Sequence, residues 1–147
     1  MQIFFQDYAK VLLVLHGLAA VVLIGSSAHM AWRAVRGTLS GKEARVLWVA
    51  WSYVVTFVSG MFIYPTYRWY VRALYFEPQM RSVNFYFEIK EHLSALGLAL
   101  VLACWLVARA GEEPALNRFR RIAAVAIFVT VAYGYVVSLI LNNLKGI

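Results

Sequence analysis

Four long apolar runs, joined only by short polar connections, constrain this chain more than any motif in it. A helix needs about 20 mostly apolar residues to cross a bilayer. Such runs lie near Tyr8 to Trp32, Ala44 to Tyr64, Phe87 to Ala108 and Ile122 to Leu141. Of the 147 residues 63% are apolar and only 14% charged, a balance too greasy for a soluble domain of this length. The expected architecture is therefore all-α: a four-helix transmembrane bundle filling one integral membrane domain over residues 1–147. The first run has an apolar part longer than the 7–15 residue core of a signal peptide, and Asp7 precedes it, so it reads as a retained helix. A single cysteine, Cys104 in mid-helix, excludes an internal disulfide or a cysteine zinc cluster and reads as small apolar filler.

Basic residues set the expected orientation. Arg33, Arg36, Lys42, Arg45, Arg109, Arg118, Arg120 and Arg121 share one side, eight in all, against six on the other: Lys10, Arg68, Arg72, Arg81, Lys90 and Lys145. The positive-inside rule then places both termini and the long second connection outside the cytoplasm, on the periplasmic side of a bacterial inner membrane. The net charge of +7 is accounted for by topology and by attraction to anionic lipid. No basic stripe asks for nucleic acid, and no nucleophilic triad, phosphate loop or metal-hydrolase spacing is present.

The second connection, "PTYRWYVRALYFEPQMRSVNFY", interleaves aromatic rings with Arg68, Arg72 and Arg81, and Pro65 and Pro78 bracket a piece with helical spacing. A short interfacial helix between the second and third spans is the economical account, because aromatic rings favour the headgroup layer and arginine stays wet beside them. The functional alternative is a lid whose Arg68 and Arg72 meet an anionic ligand such as a haem propionate or a quinone headgroup.

Ionisable groups within a membrane usually face a partner or a cavity, so His16, His29 and His92 need explanation. His16 lies about two turns into the first span and His92 at a similar depth in the third, entering from the same side. His29 is thirteen residues further on, about 20 Å along the axis, and turned to a different face. Histidines on separate helices at one depth suit one six-coordinate b-type haem, with His16 and His92 as axial metal ligands. Gly17, Ala20, Gly25, Ala95, Gly97 and Ala99 carry little bulk where a flat macrocycle could enter, although close helix packing uses the same residues. His29 reads as an interhelical polar group near Trp48 or Thr130. Tyr53, Thr56, Ser59, Tyr133, Tyr135 and Ser138 read as interhelical glue, and Asn142 and Asn143 as caps of the last helix.

The third span opens on "FEIKEH". Glu88, Glu91, His92, Ala95 and Ala99 share one helical face, which stacks Glu88 beneath His92, where a carboxylate could orient the imidazole. Lys90 points about 160° away from Glu88 and could meet a haem propionate or an acid on another helix. Glu88 and Glu91 are also candidate catalytic proton acceptors. The plain alternative is that these charges snorkel at the membrane surface.

The order "LHGLAAVVLIGSSAHMAWRAVRG", a second span, an aromatic loop, "FEIKEHLSALGLALVLACWLVAR" and "RFRRIAAVAIFVTVAYGYVVSLILNN" resembles the small four-helix haem proteins of the HemJ-type protoporphyrinogen oxidase and CopD-like group. The likeness rests on a histidine early in the first span, His16, and on Ile89 and Lys90 opening the third. It implies haem b and, for the HemJ type, oxidation of protoporphyrinogen. This chain departs from the pattern by setting Glu88, Glu91 and His92 around the lysine. Three readings follow. The leading one is a cytochrome subunit passing electrons between the quinone pool and a partner. The others are a HemJ-like membrane oxidoreductase and a cofactor-free accessory subunit of a respiratory or photosynthetic assembly. Each implies contact with lipid and with other membrane subunits or further copies of the chain.

Overall fold

The computed structural model describes residues 6–39, 43–110 and 113–145. A 3-10 turn, Gln6–Tyr8, leads into helix α1, Ala9–Val35. The exit of α1 uses Gly37 at φ 69°, where a side chain would strain the left-handed backbone. Gly37 N–H donates to Ala34 O and Thr38 N–H to Arg33 O, which satisfies carbonyls the helix end leaves open. Arg33 in that last turn complements the helix dipole and donates from Nη2 to Thr38 O at 2.8 Å.

Helix α2, Glu43–Tyr67, is followed without a break by a π-helical stretch, Arg68–Phe76, and by one turn, α3, Glu77–Gln79. The helical path ends at Met80, whose φ of −141° and ψ of 66° redirect the chain into α4, Arg81–Arg109. Helix α5, Pro114–Lys145, starts on a proline whose fixed φ suits a first helical position. Four helices are long and apolar enough to cross a membrane, and the described residues contain no strand. Apart from Tyr8, which belongs to the 3-10 turn, the apolar runs named from the sequence fall inside these helices, which mostly extend past them because hydropathy marks only the greasy part of a span.

Helices α1 and α4 each pack on both α2 and α5, so they occupy opposite corners of the bundle. The main core joins Leu23 and Met30 of α1, Val49 and Tyr53 of α2, Val101 and Cys104 of α4, and Ala124 and Ile127 of α5. A second cluster, Val71, Phe76, Phe87, Val137 and Leu141, closes the end of the bundle that carries the N-terminus. Outward faces present Val14, Leu18, Trp48, Leu96, Leu106 and Val129. An apolar exterior of that extent over a helical interior suits lipid as solvent, and the molecule is a multi-pass membrane protein.

The second connection differs from expectation in form. The helix expected there is present, but it prolongs α2 through Pro65, which the sequence reading used as its boundary. Proline removes one N–H and crowds the preceding turn, and the helix accommodates this by widening to π geometry three residues later. Its side chains are not all at a surface: Val71 and Phe76 are buried against α4 and α5. At the far end of the bundle Arg120 is almost fully buried, donating from Nη2 to Val107 O at 2.7 Å and from Nη1 to Asn117 Oδ1 at 2.8 Å. It places a cation beside the C-terminal carbonyls of α4. Asn142 and Asn143 lie within α5, which continues to Lys145, so they do not cap it.

Candidate functional site

The polar residues of the outer aromatic stretch and of the third span's mouth converge. Arg72, on the π-helical segment, reaches three carboxylates. Its Nε lies 3.2 Å from Glu77 Oε1, its Nη1 donates to Glu91 Oε2 at 3.2 Å, and its Nη2 donates to Glu88 Oε1. Asn84 adds a bond from Nδ2 to the same Glu88 oxygen at 3.2 Å. Glu88 and Glu91 can share one guanidinium because three residues on α4 bring them to the same face. Around them Tyr64 packs against the Val71, Phe76 and Phe87 cluster, and Tyr67 stacks on Phe87 at 4.9 Å between centroids. The Tyr67 hydroxyl is buried with no hydrogen-bond partner among the described residues. The cluster fastens the outer extension of α2 to the start of α4.

Lys90 takes the opposite direction, into the bundle. Its Cγ lies 3.9 Å from where a Cβ on Gly134 of α5 would sit, and its ammonium is 5.4 Å from the Phe87 ring centroid. His16 is half-buried and turned onto α2. Its Nδ1 is 3.0 Å from Thr56 O and 3.1 Å from Ser59 Oγ. A carbonyl can only accept, so Nδ1 carries the proton and a neutral ring keeps its lone pair on Nε2. Gly60 makes the approach possible, since a Cβ there would stand 3.1 Å from His16 Cε1. His16 and Lys90, two of the three residues that carry the sequence resemblance, therefore face the bundle interior, each beside a glycine of a neighbouring helix.

The expected axial pair is not brought together. His92 is exposed on α4, on the side away from Gly97 and Lys90, and its Nδ1 donates to Glu88 O at 2.8 Å. That bond goes to the backbone carbonyl one turn back, so the Glu88 carboxylate, held by Arg72 and Asn84, does not orient the imidazole. With α1 and α4 at opposite corners, one imidazole facing α2 and the other facing out, a single haem clasped by His16 and His92 of one chain does not fit. The small residues expected to flank it disagree as well. A Cβ on Gly17 or Gly25 would meet nothing within 4 Å, and Ala95 and Ala99 are exposed. No three His, Cys, Asp or Glu side chains converge on a metal position among the described residues.

Other assignments change with the geometry. Glu88 and Glu91 turn their carboxylates to the arginine, which removes them as open proton acceptors. Arg72 is engaged by three acids and not free for a propionate or quinone, whereas Arg68 is exposed, its charge reaching Tyr64. His29 and Trp48 line one cleft, as their nearness in the sequence reading implies. Tyr53 and Tyr133 join helices as expected, Tyr53 donating to Ser94 O at 2.9 Å and Tyr133 to Tyr86 O at 3.4 Å, and Ser59 meets His16, whereas the Thr56 and Ser138 hydroxyls donate within their own helices, to Ser52 O and Gly134 O. Sequence reasoning passed over Asn84, Gly60, Gly134 and Tyr64. The glycines carry no chemical signal, Asn84 could have been found by continuing the Glu88 face one turn outward, and Tyr64 lies on another helix, out of reach of that spacing. Compared with protein families, curated proteins and solved structures, the chain matches none of them.

Proposed function

We propose that the protein is a membrane oxidoreductase that withdraws hydrogen from a bulky apolar substrate drawn from the bilayer. Lys90 and His16 would be the groups that meet the substrate, and the protoporphyrinogen-type chemistry implied by the resemblance would be the reaction class. One observation carries this reading: Lys90 of α4, beside Gly134 of α5, and His16 of α1, bonded to Thr56 O of α2, both turn into the bundle interior at the end that carries the N-terminus. Ionisable groups at such depth are costly and mark functional sites by default. The imidazole, with Nε2 open, would take the proton of each hydrogen pair that leaves the substrate, while the other hydrogen leaves as hydride with both electrons to a quinone from the same bilayer, which then receives the proton and becomes the quinol. Arg72 and its carboxylates hold the mouth of the site together. The excess of arginine on the opposite face supports an outer-leaflet site in a bacterial inner membrane.

The test is to follow porphyrin fluorescence when detergent-purified protein is mixed with protoporphyrinogen and a short-chain quinone. Wild type should turn over, and Lys90→Met and His16→Phe should each lose at least about 100-fold, the lower range for a positioned acid or base. His92→Ala should retain activity. Wild-type turnover no greater than that of heat-denatured protein would remove the reading.

One observation favours the electron-carrier alternative. His92 donates from Nδ1 to Glu88 O, which orients Nε2 away from its own helix toward the bundle surface, a posture suited to a haem shared with another subunit. A dithionite-reduced spectrum with sharp α and Soret bands that vanish in His92→Ala and persist in His16→Phe would favour that alternative over the first.

A further inference from the structure

We propose that the groove between α1 and α2, at the end of the bundle opposite the Arg72 cluster, is a binding site for one anionic phospholipid. Arg33 and Arg45 would hold its phosphate and the α1 flank would receive an acyl chain. The groove has a volume of about 430 Å³, and its polar lining is Ser26, His29, Arg33, Arg45 and Trp48. A water takes about 30 Å³ of liquid, so the space suits a headgroup with the start of a chain better than a single ion.

Three features select the occupant. Arg33 Nε and Arg45 Nη1 are buried with no hydrogen-bond acceptor among the described residues, and among those residues no carboxylate lines the groove. A buried guanidinium N–H without an acceptor is costly, and a phosphate oxygen supplies what is missing in the geometry arginine prefers. The groove is also deep along α1. Arg33 sits in the last turn and Val22 lies eleven residues earlier, about 16 Å down the axis at 1.5 Å per residue. That is about half of a 30 Å hydrocarbon layer, one leaflet, so the lining passes from cations at headgroup level to aliphatic side chains at mid-membrane. A free phosphate would use only the top of such a groove. Trp48, 62% exposed beside the arginines, gives the amphipathic ring that the interface favours.

The experiment uses purified full-length protein in detergent micelles containing phosphatidylcholine, with brominated lipids as tryptophan quenchers. Brominated phosphatidylglycerol should associate roughly 30-fold more tightly than brominated phosphatidylcholine, equivalent to about 1 kcal/mol for each of two arginines beside an anionic headgroup. The Arg33→Gln/Arg45→Gln double variant should abolish that preference, and Arg36→Gln/Arg118→Gln, basic residues of the same end outside the groove, should keep it. Should the double variant fail to fold, Val22→Trp tests the same site from the apolar end. It fills the chain-binding part while leaving both arginines, and should cut the preference at least fivefold. Inorganic phosphate at 100-fold excess over the lipid should not compete. Equal loss in both double variants, an unchanged preference in Val22→Trp, or displacement by inorganic phosphate would each overturn the assignment.

Discussion

Arg72 is the residue on which the outer end of the molecule depends. Its side chain is 13% exposed, and it is the cation bonded to Glu88 and Glu91 and paired with Glu77, so its removal leaves three carboxylates crowded together. Breaking a buried pair from one side costs about 3–5 kcal/mol. Glu77 and Glu88 are 49% and 41% exposed, so solvent screening brings the expected cost of Arg72→Ala to about 2 kcal/mol. Thermal unfolding in detergent should show this loss, and adding Glu88→Gln and Glu91→Gln to the alanine variant should restore part of it. No recovery in the triple variant would mean that the arginine acts through packing alone. At this scale the sequence was half legible. The face shared by Glu88 and Glu91 could be read from their spacing, but their partner lay sixteen and nineteen residues away across a proline, beyond the reach of periodicity. His92 misled for a related reason: depth along a helix is countable from sequence, whereas the azimuth of a helix that is apolar on every side is not.

Among the described glycines, Gly97 of α4 is the one most tightly enclosed by side chains of neighbouring helices. A Cβ there would stand 2.2 Å from Tyr53 Oη and 3.0 Å from Thr130 Cγ2, while Tyr53 itself donates to Ser94 O. Gly97→Ala should therefore destabilise by about 1–3 kcal/mol through overpacking, and Tyr53→Phe by about 1 kcal/mol through the lost bond. Because they share one contact, the double variant should cost less than the sum of the single changes. Gly17→Ala and Gly25→Ala open onto free space and should leave the melting temperature unchanged or raised. Additive losses for the first pair, or a large loss at Gly17, would contradict this placement of the helices. The three glycines look alike in the sequence. The number of spans was legible because about 20 apolar residues in a row have few other uses. The extension of α2 was hidden because Pro65 reads as a boundary in water, where a broken turn is cheap. In a membrane-spanning helix the backbone must stay bonded, and it widens instead.

For the whole molecule, the expected orientation rests on the bias in basic residues. At the N-terminal end Arg72 is paired with carboxylates and Lys90 points into the bundle, while Lys10, Arg68 and Arg81 are exposed. At the other end Arg120 is withdrawn, capping α4, and Arg33 and Arg45 turn partly into their groove, while Arg36, Arg109, Arg118 and Arg121 are exposed. Among the described residues the bias keeps the direction it has in the sequence, and the positive-inside rule then predicts that the N-terminal end lies outside. Cys104 is fully buried and should be silent toward a membrane-impermeant maleimide, so single cysteines can be added without removing it. In intact cells Gln79→Cys and Asn143→Cys should label at once, whereas Thr38→Cys and Glu113→Cys should label only after permeabilisation. The reverse pattern would place the Lys90 and His16 pair in the inner leaflet and the Arg33 and Arg45 groove in the outer one. A porphyrinogen or quinone would then reach the site from the cytoplasmic side. Labelling of all four in intact cells would mean that the inserted chain does not keep a single orientation.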